Sequence, residues 1–204
     1  MKFVNVTAQS ATLANTLWPA GNPAAPMRLL RHASLVVAGA LALTLSARAE
    51  VPLPLVPITL QTLVVLLLGA ALGARLAASS VALYLIEGLF NLPVFAGTPE
   101  KGLGLSYMMG PTGGYLAGFL LAAALVGFCV ERGWGRSLGA LLVVMSFGHL
   151  VIFTFGYLWL AHFVGMQKAF AFGVAPFYAA TILKTLLGAG IVSGSWKLIG
   201  RLRA

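Results

Sequence analysis

Residues 138–164 run for 27 positions without one Asp, Glu, Lys or Arg. Crossing the hydrocarbon layer of a membrane takes about 20 such apolar residues, fewer where a helix packs inside a small bundle. Within that layer every backbone N–H and C=O has to be paired inside the protein, which leaves helices or a closed barrel. The chain shows no alternating strand pattern, so helices remain. Composition agrees: 8% of the 204 residues are charged, against roughly a quarter in a soluble domain, and the mean hydropathy is +0.97.

Reading outward from that run predicts an all-α membrane domain of six helices over residues 28–204. The spans fall at about 29–47, 58–72, 76–90, 112–130, 138–164 and 174–199. Between the first two lies "VPLPLVP", whose three prolines cannot continue a helix. "GAR" at 73–75 turns the second span into the third. "NLPVFAGTPEKGLGLSYMMGP" is a long Gly/Pro-rich loop, and loops of that length usually carry function. Residues 1–27 are polar and lack the continuous apolar core of a signal peptide. They read as a cytoplasmic extension with room for a short surface helix.

Orientation follows from Lys and Arg, which concentrate on the cytoplasmic side. With both termini inside, nine of the thirteen lie in inner segments: Lys2, Arg28, Arg31, Arg75, Arg132, Arg136, Lys197, Arg201 and Arg203. Only Arg48, Lys101 and Lys168 lie outside, and Lys184 is left within a span. The net charge of +9 is therefore a matter of topology, with no clustering of bases and aromatics to suggest nucleic acid. Both Pro/Gly-rich segments then face the outer side. The single cysteine, Cys129, excludes an internal disulfide and a CxxC site, so no metal or redox cofactor is expected. There is no GxxxxGK[ST] motif, no Ser/His/Asp set and no carboxylate pair. The chain reads as neither an ATPase of that type nor an enzyme.

Lys184, inside "FYAATILKTLLGAGI", is the sharpest local signal. An ionisable side chain within a span is costly and functional by default, although its long stem also permits snorkelling to an interface. Glu87 is the only acid at comparable depth, so a ligand is the expected source of the anion. Thr181, three residues earlier on the same face, is placed to hold a ligand oxygen beside it. Thr59 and Gln61 open the second span. They fit either a helix cap with a solvated neighbour or a polar contact with a ligand.

"MMGPTGGYLAGF" leaves two roles open. Pro111 suits a first helical turn, leaving the N–H groups of Gly113, Gly114 and Tyr115 free for an oxygen-bearing ligand. Alternatively, the glycines only permit tight packing. Asn91 and Phe95 are loop residues on local grounds. His149 and His162, thirteen apart, make no metal pair and read as packing or interfacial residues. Ala38 and Ala42 form an AxxxA, a spacing that lets another helix approach closely.

In combination, "VPLPLVPITLQTL", "YLIEGLFNLPVFAG", "GPTGGYLAGF" and "PFYAATILK" resemble the BioY family, the biotin-specific substrate-binding (S) component of energy-coupling-factor (ECF) vitamin transporters. The resemblance covers about residues 30–200. It implies the six-helix S-component fold in the cell membrane and biotin captured near the outer face under a loop. It also implies partners: a transmembrane coupling subunit, docked on Ala38 and Ala42, and two ATPase subunits. Biotin's carboxylate then suits Lys184 and Thr181. Its ureido group suits Gln61, Asn91 and the N–H groups after Pro111, with Phe95, Tyr115 and Phe177 against its ring and chain. Two positions depart from the family pattern. Thr181 stands where an Asp is usual, and Asn91 where a Gly is common. The competing reading is a self-sufficient secondary transporter for a small organic anion, which calls for acidic relay residues that the spans lack.

Overall fold

The computed structural model describes residues 12–18 and 25–202. Lys2 and Arg203, and most of the N-terminal extension, lie outside the described residues. Within them the fold is helical. Helix α1 (Leu13–Leu17) is a single turn capped by Thr12, whose Oγ1 accepts from Asn15 N–H at 3.3 Å. Leu13 and Thr12 are buried, and Arg31 donates to Ala14 O (3.2 Å) and Asn15 Oδ1 (2.9 Å). This part of the extension is thus tied to the bundle. Helix α2 spans Ala25–Arg48.

The proline run after α2 forms no helix, as expected, but its flanks pair. Glu50–Val51 (β1) and Ile58–Thr59 (β2) are antiparallel, with Glu50 opposite Thr59 and Val51 opposite Ile58. Two residues per strand are too few to produce an alternation readable in sequence, so the expectation of no strand is corrected here. Helix α3 (Gln61–Leu72) meets α4 (Ala74–Leu89) at Gly73. The φ of +84° at Gly73 is open to glycine and strained for other residues.

The long loop contains a short helix, α5 (Gly104–Met108). Helix α6 (Gly113–Cys129) continues into a π turn over Val130–Trp134. Helix α7 occupies Leu138–Val164, as the uncharged run predicts, with Ser137 as its cap. The sixth expected span is divided: α8 (Met166–Gly173), a 3₁₀ turn (Ala175–Phe177) and α9 (Tyr178–Leu202). Pro176 lacks an N–H and favours the first turn of a helix, so α9 starts later than the apolar pattern suggests.

By length and composition four helical stretches can cross a membrane: Ala25–Arg48, Gly113–Trp134, Leu138–Val164 and Met166–Leu202. Helix α3 is apolar but shorter. Helix α6 packs against α7, α3 and α4, α2 packs against α4, and α9 packs against α7 and α3. The start of α3 is thereby brought to the second turn of α9.

Candidate functional site

Lys184 projects from α9 toward the first turn of α3. It is 7% exposed. Its Nζ donates to Thr59 O at 2.5 Å and to Thr62 Oγ1 at 3.1 Å. The ammonium is held inside the fold by neutral oxygens, which answers the snorkelling alternative. No carboxylate among the described residues pairs with it. The bonding is possible because β2 ends at Thr59, leaving that carbonyl outside any helix just before α3 begins.

Thr59 and Gln61 combine the two roles open to them. Thr59 Oγ1 accepts from Gln61 N–H at 3.2 Å, as a cap would. Gln61, however, is 4% exposed and donates from Nε2 to Tyr84 Oη at 2.6 Å. It is a core residue, not a solvated one. Tyr84 Oη in turn donates to Val94 O in the long loop at 3.4 Å.

A cavity of about 40 Å³ lies beside Lys184. Thr59, Gln61, Tyr115, Phe177 and Lys184, all expected site residues, line it together. Thr62, Tyr107, Thr112, Phe119 and Phe153 line it as well and were not expected. Tyr115 is fixed by donating to Gly173 O at 2.7 Å, and Tyr107 by donating to Ala96 O at 2.8 Å.

Five expected residues stand apart. Phe95 is buried behind the wall, stacked on Tyr107 at 4.8 Å and edge-on to Tyr84 at 5.3 Å between ring centroids. It supports Tyr107 and does not line the cavity. Asn91 is exposed on the loop with φ +66°. Asn tolerates this left-handed conformation better than most residues, so it fills a glycine-like backbone position.

Two of the three N–H groups expected to be free after Pro111 are bonded. Gly113 donates to Gly110 O and Tyr115 to Thr112 O, each at 3.0 Å. Gly114 is a packing glycine. A Cβ there would strike Trp159 Cβ and Phe155 O, so its absence lets α6 and α7 approach. Thr181 lines a separate groove of about 540 Å³ between α7 and α9, to which Lys184 does not contribute. His149 is 2% exposed and shares a 3.0 Å hydrogen bond between its Nδ1 and Thr185 Oγ1.

The long loop is tied to the end of α2. Arg48 Nη1 donates to Thr98 O at 3.0 Å, and Nη2 donates to Pro93 O. On α2 itself, Ala38 is exposed and Ala42 half-buried, while Gly39, Ala40 and Leu43 are buried on the other side.

Residues 14–201 match the BioY family. The chain belongs to that family. It is 39% identical over 154 residues to a probable biotin transporter BioY of Pyrococcus horikoshii, covering 76% of this chain and 89% of the relative. It is 33% identical to the biotin transporter BioY2 of Lactococcus lactis subsp. cremoris, covering 76% and 84%. Its fold matches the crystal structure of an S-component for biotin from an ECF-type ABC transporter, with a TM-score of 0.72. That match has 22% identity and covers 86% of this chain and 95% of the other. As a BioY-family member with several apolar helices, the chain is a multi-pass transport protein of the plasma membrane and not an enzyme.

Proposed function

We propose that this chain is the biotin-capturing S component of an ECF transporter. The observation that carries this reading is Lys184, an ammonium buried among neutral oxygens beside an aromatic-walled cavity. A ligand carboxylate supplies the missing charge. The BioY relatives are named biotin transporters, and biotin has one carboxylate at the end of a flexible chain.

In this reading α2, α3, α4, α6, α7 and α9 are six membrane helices, and the cytoplasmic extension expected over residues 1–27 runs into the first turn of α2. Both termini face the cytoplasm, on the strength of nine inner against three outer basic residues. The broken segments at β1–β2 and α5 then lie at the outer face, where biotin enters. A coupling subunit packs on α2 at Ala38 and Ala42, and its ATPase partners supply the energy. Among the described residues no helix carries an acidic relay beside Lys184, and this argues against a carrier driven by an ion gradient.

Detergent-solubilised protein titrated with labelled biotin should bind it with nanomolar affinity, about 12 kcal/mol at that concentration scale. Thiamine and riboflavin should not compete. Competition by either vitamin, or no binding of biotin, would overturn the proposal.

A further inference from the structure

Helix α2 begins in the open. Residues 25–30 are all exposed, and Arg31 is the first buried one, at 4%. Its hydrogen bonds and its ring contact all go to residues 14–18. Nη2 donates to Ala14 O and Asn15 Oδ1, and the guanidinium carbon lies 5.8 Å from the centre of the Trp18 ring. No carboxylate among the described residues pairs with Arg31, and its Nε is buried without a partner. A charged group held this way is covered but not fully satisfied.

The cover itself is small. Helix α1 has five residues, of which Leu13 and Thr16 are buried. It packs on α3, and Thr12 Cγ2 rests near Gly73 at the α3–α4 turn. Leu17 and Trp18 face outward, 68% and 52% exposed. Its place on α2 is the informative point. Ala38 and Ala42 stand seven and eleven residues beyond Arg31, spacings that return to the same side of a helix. The three residues share one stripe, and Arg31 lies about 10 Å from Ala38 along it. The stripe is open at Ala38 and covered at Arg31, where α1 lies over it.

The geometry points to α1 as a displaceable strap over the N-terminal end of that stripe. This rests on the reading that a coupling subunit docks at Ala38 and Ala42. A helix laid along the stripe reaches Arg31 two turns before Ala38, where α1 stands in its way. Docking exchanges α1 for the partner, and a carboxylate on the partner takes over Arg31, neutralising the guanidinium and reaching its open Nε. The strap thereby sets a threshold for assembly. It does so without acting on ligand capture, because none of residues 12–18 lines the cavity at Lys184.

Two measurements on the full-length chain, mixed with purified coupling and ATPase subunits, test this. Hydrogen exchange of the amides in residues 12–18 should become about tenfold faster on assembly, as expected of a segment released from its contacts. Exchange that is unchanged or slower in the assembled complex means that α1 stays in place, and overturns the proposal. The second measurement is a pair of substitutions at Asn15. Asn15→Asp gives Arg31 a charge-assisted bond within the strap and should slow assembly by about fivefold. Asn15→Ala removes one bond to Arg31 and should speed assembly by about as much. Equal rates in both variants, or slower assembly with Ala than with the parent chain, overturn the strap and leave the docking reading standing. Biotin titration should be the same in all three proteins; a shifted affinity would make α1 a support of the cavity and overturn the proposal as well. A parent chain that binds biotin but assembles with no coupling subunit sinks the ECF reading, and the strap with it.

Discussion

An ammonium buried without a carboxylate is the most expensive single choice in this chain, and its bonding shows how the expense is contained. Thr59 O and Thr62 Oγ1 satisfy two of its three donors. Neither neutralises the charge, and in the proposed function a ligand acid does so. Lys184→Met keeps the length and apolar stem but removes the donor. Titration of labelled biotin should show a loss of about 2–5 kcal/mol, the usual range when one side of a buried charge pair is truncated. Wild type should also bind biotin better than its carboxamide, whereas the Met variant should distinguish them little. Equal binding of both by wild type would remove the carboxylate from Lys184. The burial of Lys184 within a span was legible because a charge stands out against an apolar run. Thr62 was not, because a lone Thr in a helix gives no contrast with its neighbours. Thr181 lines a different pocket from Lys184, since a spacing of three puts residues on neighbouring helix positions without saying which space each one meets.

At the scale of elements, the long apolar helices were readable and the short connecting ones were not. Helix α7 needed only its uncharged run; the Ser137 cap that starts it emerges from the structure. Helices α5 and α8 have five and eight residues, too few for periodicity to register against Gly-rich surroundings. The glycines at 113 and 114 were ambiguous for a physical reason. Freedom for a ligand to approach and freedom for a helix to approach call for the same residue, and here Trp159 and Phe155 are the neighbours. Arg48 was counted only as a loop charge, yet it joins the end of α2 to the long loop through Pro93 O and Thr98 O. The same loop contributes Ala96 and Tyr107 to the cavity wall. Arg48→Ala should therefore loosen that wall, and biotin should dissociate about tenfold faster, since such changes act mainly on the off-rate. Pulse-chase release of labelled biotin measures this directly. An unchanged off-rate would mean that the loop is held by its aromatic contacts alone. Arg48→Lys should behave more like Ala, because a single ammonium cannot match the two-pronged geometry of the guanidinium.

For the whole molecule, the two faces of α2 differ in packing. Gly39, Ala40, Leu43 and Ala47 are buried on the side that packs with α4. On the other side Ala38 is exposed between the bulkier Val37 and Leu41, which are 46% and 55% exposed. Ala38 and Ala42 thus form a shallow notch in an otherwise bulky apolar surface. Small residues four apart let two helix backbones approach closely in a membrane, where packing, not hydrophobicity, drives association. Ala38→Trp fills that notch from the outside. Ala38 is exposed and does not line the cavity beside Lys184, so the fold and biotin binding should survive. Uptake of labelled biotin by cells that also supply the coupling and ATPase subunits should fall to background, and the subunits should no longer co-purify. Retained uptake with retained assembly would show that this face meets only lipid. Loss of binding together with uptake would point to a damaged bundle, which the biotin titration on the same protein detects.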